Sequence, residues 1–277
     1  MLSVVIPSLG GDLGDTLSSL NSGTLAPNEI IICLPNNKHS VDELIKYENT
    51  FVIYAENYGQ VIQRIYGFKK AKNPYVLQLD DDIILAPDCL ELLMLTMKNT
   101  KVSSAVSPCW FNIEDNTPLH QSKRNGLIMS LYYWIINGNV GYKPGNVSLA
   151  GTNFGVNPEE VRERVVSVDW QPGGCILHEK PNLVLDNYYP FNGKAYCEDL
   201  VHSFFLRKSG ISLIVNTQAV CMTNINPRLD LKKEILPNIK QRIYFVKLAN
   251  LSILRMYIYY ATYISKSFLI GILHKYI

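Results

Sequence analysis

The chain has 277 residues, of which 47% are hydrophobic and 18% charged, with a net charge of +2. That length buries a sizeable core in one large domain or two small ones, and the composition is that of a globular chain, which excludes a disordered or low-complexity one. The small net charge hides a split, because Lys232 to Ile277 holds eight Lys/Arg against the single acid Glu234 (+7), while the remainder holds 18 basic against 23 acidic residues (−5).

The first half alternates short apolar runs with helical patterns. Strands are expected at 3–6, 29–34, 51–54, 75–79 and 102–106, and helices at 15–20, 41–47, 60–70 and from Pro87-Asp88 to about 97. Proline near a first helical turn is a start signal. Such alternation predicts an α/β fold around a mostly parallel sheet. From Trp110 to about Val165 the rhythm breaks into Asn, Gly and aromatic residues with no clean period. Strands follow at 166–170, 175–177, 211–215 and 219–222, with a helix over 198–209 that ends at Gly210, a plausible C-terminal cap. No internal repeat is visible.

The six cysteines (33, 89, 109, 175, 197, 221) form no CxxC pair, so neither a metal knuckle nor a disulfide framework is expected. The chain opens directly on the strand-like Leu2-Ser3-Val4-Val5-Ile6 with no signal-peptide pattern, which points to a reducing, cytosolic compartment.

The chemistry concentrates at Leu79-Asp80-Asp81-Asp82-Ile83, where three acids end an apolar strand. Adjacent carboxylates repel one another, and a cation offsets that repulsion; carboxylate oxygens suit Mg²⁺ or Mn²⁺, usually with substrate phosphates completing the shell. In an open α/β sheet, ligands bind outside the carboxyl ends of the strands. A solvated acidic turn is the plain alternative. The cluster Gly10-Gly11-Asp12-Leu13-Gly14 after the first strand is neither GxGxxG nor a P-loop, and reads as a flexible strand-to-helix turn. A second acidic pair, Glu198-Asp199, opens a predicted helix. Acids there complement the helix dipole and need no function. Beside the triplet they gain one, because metal-assisted transfer uses one carboxylate set for the ion and another for the proton.

In this arrangement the chain resembles the family 2 glycosyltransferases, which have the GT-A fold. The matching residues are Ser3-Val4-Val5-Ile6-Pro7-Ser8, Glu29-Ile30-Ile31-Ile32, Gln60 and Arg64 with Gly67, and the strand running into Asp80-Asp81-Asp82. They continue with Trp170-Gln171-Pro172-Gly173-Gly174, and with Glu198-Asp199 before Leu206-Arg207-Lys208-Ser209-Gly210. The resemblance covers roughly residues 2 to 223. It implies a GT-A domain over 1–225, with a nucleotide-binding half to about 107 and an acceptor half over about 108–225; the residues at 226–277 read separately as a basic amphipathic helical tail. It implies that Pro7 and Ser8 border the nucleotide base, that Arg64 lines the nucleotide pocket, and that Asp80 and Asp81 contact the ribose side. Asp82, with Asp80, would hold Mn²⁺ or Mg²⁺. Gly173 and Gly174 would let backbone approach the donor sugar, Trp170 would face the acceptor, Asp199 would be the general base, and Glu198 would bind sugar hydroxyls.

Two departures stand out. The acid that family members often carry after the second strand is replaced by Leu34-Pro35-Asn36-Asn37, and Ala219-Val220-Cys221-Met222-Thr223 lacks a late histidine. His178 follows the glycine pair as a lone histidine, which is more often structural. The activity implied is an inverting transfer from a nucleotide-sugar, a UDP-sugar foremost, to a saccharide or lipid-linked acceptor, as in bacterial surface-polysaccharide assembly. No nucleic-acid partner is expected.

In the tail, Lys240, Lys247, Arg255 and Lys266 fall within roughly a 100° helical arc. No run of apolar residues is long enough to span a bilayer. A basic helix lying on the inner face of the cell membrane fits, and packing onto the domain is the alternative. Two rival functions fit the residues less well. A sugar-nucleotide nucleotidyltransferase needs Arg or Lys in its glycine loop, and residues 8–15 contain neither. A non-catalytic saccharide- or membrane-binding module has no use for the two acidic sets.

Overall fold

The computed structural model describes residues 1–35, 47–120, 126–138, 142–191, 195–224 and 231–273. In chain order the elements are β1 (Leu2–Pro7), α1 (Gly14–Ser22), β2 (Glu29–Leu34), β3 (Thr50–Tyr54), α2 (Gln60–Lys70), β4 (Tyr75–Leu79), β5 (Ile84–Leu85), α3 (Cys89–Asn99), β6 (Ser104–Asn112) and α4 (Leu127–Asn137). They continue with β7 (Val165–Val168), β8 (Cys175–Glu179), a 3₁₀ turn (Lys180–Asn182), α5 (Glu198–Lys208), β9 (Ser212–Thr223), α6 (Leu231–Leu248) and α7 (Ile253–Leu273). The helix expected at 41–47 lies outside the described residues but for Tyr47.

One sheet orders its strands β3-β2-β1-β4-β8-β6-β9-β5, with β7 on β9. Strands β1 to β4 run parallel, and β8 enters antiparallel beside β4. β6 pairs parallel with β9, whereas β5 and β7 pair antiparallel with it. The sheet is therefore parallel on one side and mixed on the other, the α/β GT-A-type class expected. The chain winds from β1 out to β3 and then returns to β4 on the opposite side of β1. That reversal opens a crevice at the carboxyl ends of β1 and β4, where open α/β sheets bind ligands.

Burial on both faces explains why β1 and β2 read as continuous apolar runs. Val4, Ile6, Ile30 and Ile32 join the cluster containing Leu17 and Leu20 of α1 and Leu90 and Leu93 of α3. Val5, Ile31 and Cys33 point to the other face, with Phe68 of α2. Helix α2 sits close because of Gly67, where an added Cβ would meet Val5 Cγ1 and lie 2.5 Å from Cys33 Sγ. Gly67→Ala is expected to lower stability by about 1–3 kcal/mol despite alanine's better helix propensity. A urea midpoint equal to or above that of the unchanged chain would show that the helix can shift instead.

Three differences from the sequence reading have physical causes. The strands expected at 211–215 and 219–222 are one strand, β9, whose register slips so that Pro108 faces Asn216 and Cys109 faces Val220. The Asn216 side chain holds the bulge, accepting from the Gln218 N–H at 2.8 Å and donating to Thr96 Oγ1 at 2.7 Å. α4 was not foreseen, because its sequence is apolar on every side and shows no helical period. The basic arc of the tail is broken, since α6 and α7 are separated at 249–252, where Asn250 has φ +54. α6 buries Gln241, Arg242, Phe245 and Val246 against the domain, and Lys240 and Lys247 remain exposed.

Candidate active site

β4 ends at Leu79, and Asp80 leaves the sheet with its N–H bonded to the Gly174 carbonyl at 2.8 Å. Because β8 pairs with β4 in the register Leu79 to Cys175, the glycine pair before β8 lies directly across from the acidic triplet. A Cβ on Gly174 would stand 3.0 Å from Asp80 Oδ2 and 2.6 Å from Trp110 Cη2, and one on Gly173 would stand 3.1 Å from Glu198 Oε2. A side chain at Gly174 would have to displace Trp110, and one at Gly173 would crowd Glu198. Gln78 steadies the turn by donating from its side chain to the Gly173 carbonyl.

Arg64 joins the two sets. Its guanidinium donates from Nη2 to Asp80 Oδ1 at 3.1 Å and from Nη1 to Glu198 Oε1 at 2.9 Å. It is 1% exposed, so it lies beneath the cleft rather than on the wall where the sequence placed it. Burial works against its charge, but Glu198 and Asp80 outweigh that and raise its pKa above the ordinary value. Gln60 Nε2 adds a 3.0 Å bond to Asp80 Oδ1. Glu198 Oε1 also accepts from the Tyr188 hydroxyl, which leaves Oε2 toward Gly173. Below this network Tyr188 stacks on His202 at 5.4 Å, and His202 stands 5.6 Å from His178. Burial holds His202 down at about 3 and His178 well below its ordinary value, so both are neutral. His178 is fully buried beneath this network, away from the cleft.

Asp199 is half-buried at the start of α5, where Oδ1 accepts from the Leu200 N–H at 2.9 Å. Burial, and then the neighbouring Glu198 charge, push its carboxyl up to about 6. Burial likewise lifts Asp80 to about 6 against the pull of Arg64. Asp82 is exposed, its carboxyl raised by partial burial and by Asp81, and its Oδ2 accepts from Thr223 Oγ1 at 3.3 Å. Thr223 thus stands at the end of β9, the strand end that lacks a late histidine.

On the other side of Asp81 a cavity of about 490 Å³ is lined by Pro7, Ser8, Leu9, Gly11, Tyr58, Gly59, Gln60, Gln63, Asp81 and Ala195. Gln63 fixes its floor, donating to the Ser8 carbonyl at 2.8 Å and the Cys33 carbonyl at 2.7 Å. The glycine cluster forms the expected strand-to-helix turn, with Asp12 Oδ1 accepting from the Gly14 N–H at 2.8 Å. Pro7, Ser8 and Asp81 therefore meet at one cavity, while Asp80, Gly173, Gly174, Glu198 and Asp199 meet around one glycine pair. Trp170 is set apart. It is 4% exposed, donates to the Phe154 carbonyl at 2.8 Å and packs edge-on to His120, which makes it a core residue.

The sequence reading assigned no role to Gln60, Gln63, Tyr188 or Thr223. For the glutamines a signal existed, since polar residues at 60, 63 and 64 fall on the sheet-facing side of an otherwise apolar helix. Tyr188 and Thr223 carry no such local mark.

The exposed Asp82 carboxylate, next to Asp81 and the Thr223 hydroxyl, suits a hard divalent ion that takes its other ligands from water and phosphate oxygens. Among the described residues no three His, Cys, Asp or Glu side chains cluster as a full protein cage.

No curated protein matches the sequence. Several solved structures share the fold. The crystal structure of GalNAc-T7 with UDP, GalNAc and Mn²⁺ superposes with a TM-score of 0.59 at 18% identity, over 83% of this chain and 43% of that one. TarS of S. aureus does so with a TM-score of 0.52 at 13% identity, over 82% of this chain and 37% of that one. The TarS 1-349 structure gives 0.54 at 13% identity, over 92% and 68%. The chain thus spans less than half the length of the first two. The family model "Glycosyl transferase family 2" matches residues 3–159, more than half of the chain and including β1, α2 and the acidic triplet at the end of β4. The chain belongs to glycosyl transferase family 2.

Proposed function

We propose that this glycosyltransferase moves a sugar from a nucleotide-sugar, a UDP-sugar foremost, to a saccharide hydroxyl with inversion at the anomeric carbon. The observation that carries the reading is the Gly173-Gly174 pair, set between Asp80 on one side and Glu198 and Asp199 on the other. Backbone without side chains lets the two carboxylate sets close in on one turn at the mouth of the cleft, where a donor sugar would meet both. Inversion needs its base and its leaving group on opposite faces of that sugar.

Asp199 takes the proton from the acceptor hydroxyl. A carboxyl near 6 is a stronger base than an ordinary aspartate and is still ionised at neutral pH, which is the tuning a general base needs. Glu198 Oε2 accepts from a sugar hydroxyl. Pro7 and Ser8 border the base and Asp81 the ribose, in the 490 Å³ cavity. Arg64 and Gln60 hold Asp80 in place, so Arg64 is a positioning residue. Asp82 holds Mn²⁺ or Mg²⁺; such an ion, when bound, neutralises charge on a leaving diphosphate. UDP and Mn²⁺ in the GalNAc-T7 crystal are a precedent on this fold for the donor class and the ion. The acceptor is a growing polysaccharide or glycoconjugate, free or lipid-linked.

The test is a panel of nucleotide-sugars, each with Mn²⁺, Mg²⁺ or EDTA, read by thermal shift and by release of nucleoside diphosphate. At saturating donor, roughly 2.7 kcal/mol of linkage, or about 5–10 °C, is expected for one donor with metal. EDTA or Asp82→Ala is expected to abolish the shift. Stabilisation by every donor alike without metal, or by none with it, overturns the reading.

A further inference from the structure

Helix α4 turns Leu127, Ile128, Leu131 and Trp134 outward, the first two 91% and 82% exposed. Their spacing places them on one stripe of roughly 120°, and the opposite side, Tyr133 and Ile136, is buried. α7 lies against α4. Arg255 Nη1 donates to the Trp134 carbonyl at 3.1 Å and also to that of Ile135, and Tyr259 packs against the cluster of Tyr133, Ile136 and Ala150. α7 in turn leaves Leu254, Tyr257, Ile258 and Ile264 exposed while burying Met256 and Tyr260. Eight large side chains, aliphatic or aromatic, on two adjacent helices are far more than the single exposed apolar residues that need no explanation.

The sequence charge of the segments that carry these helices points to the occupant. Segments 116–158 and 249–277, which supply both helices, contain six Lys and Arg and no Asp or Glu. The rest of the chain has 20 basic and 24 acidic residues. Apolar stripes carried by segments whose sequence holds cations and no acids complement acyl chains beneath anionic headgroups. Trp134 and Tyr257 are the residue types that favour the headgroup level. No helix among the described residues is long and apolar enough to cross a membrane.

We propose that the α4–α7 face docks on an anionic lipid bilayer and lies in its interface. The surface differs from the basic arc read in the tail, since half of it comes from α4 and α6 is packed into the domain. It does not depend on the transferase reading.

The test is flotation of the full chain with vesicles of phosphatidylcholine, alone or mixed with phosphatidylglycerol, followed by tryptophan emission. Trp110 and Trp170 are buried, so Trp134 dominates any change on binding. Binding to the mixed vesicles with a blue shift, weakened by high salt, is expected. The double variant Leu131→Glu/Ile258→Glu should bind about tenfold more weakly or worse, with an unchanged circular-dichroism spectrum. Failure of the full chain to float with the mixed vesicles overturns the proposal, and so does equal binding to both vesicle types. Sedimentation showing a dimer that the double variant dissolves would also overturn it, by assigning the face to a second copy. Should the variant misfold, the emission of the unchanged chain on the two vesicle types still decides.

Discussion

Asp199→Asn is expected to lower turnover by about 10²–10⁴-fold while leaving donor affinity nearly unchanged. The amide keeps the shape of the carboxylate and still accepts the Leu200 N–H bond, so only the proton-accepting function is removed. The pH dependence sharpens the expectation. Turnover of the unchanged enzyme should fall as pH drops through about 6, where Asp199 and Asp80 both protonate, and the acid limb should be shallower in the residual rate of the variant, which keeps only Asp80. Stability moves the other way. The folded-state carboxyl is raised from its ordinary 3.8 to about 6, so between these values the folded chain binds more protons than the unfolded one. Stability from this group is therefore greatest below about 4, declines as pH rises to 6, and stays reduced at neutral pH. Asp199→Asn removes that cost, and its thermal midpoint at neutral pH should equal or exceed that of the unchanged chain. Inactivity accompanied by a lower midpoint and lost donor binding would make Asp199 a structural residue instead.

Arg64→Met has the largest expected effect on stability. The methionine fills much of the space but leaves Asp80 and Glu198 facing each other without the cation that pairs both. Removing one partner of a buried ion pair costs about 3–5 kcal/mol. At roughly 2–4 °C per kcal/mol, the thermal midpoint should fall by about 6–20 °C. Because the loss is one of uncompensated charge, it should shrink as pH is lowered and the carboxylates protonate, whereas a packing loss would not follow pH. Arg64→Met/Glu198→Gln should recover a large part of it. A deficit independent of pH and unrelieved by the second change would mean that Arg64 acts through volume alone. Arg64→Lys is not conservative here, since one ammonium cannot reproduce the two-armed contact.

Much of the scaffold was legible because it is local. β2, α2 and β4 were expected within the bounds observed, since apolar continuity and a 3.6-residue period mark fully buried strands and half-buried helices. The acidic triplet was visible because three carboxylates after an apolar strand are unusual in any context. The start of α5 at Glu198 was visible from its own acids and from the cap at Gly210, which has φ +81. α4 was hidden because periodicity fails where every face is apolar, and the bulge in β9 was hidden because Asn216 acts through a contact with Thr96, 120 residues away.

By itself, then, the sequence determined the alternating α/β plan, the positions of both acidic sets on their elements, and the family to which they belong. Tertiary structure decided what those groups do to one another. Arg64 meets Asp80 across 16 residues and Glu198 across 134, and Thr223 meets Asp82 across 141. It also brought α4 beside α7 to build an apolar face that neither segment announces. The physical reason is one of range. Propensity, capping and hydrophobic period act within a few turns of chain, whereas ion pairing, desolvation and exposed area depend on which distant elements the sheet order makes neighbours.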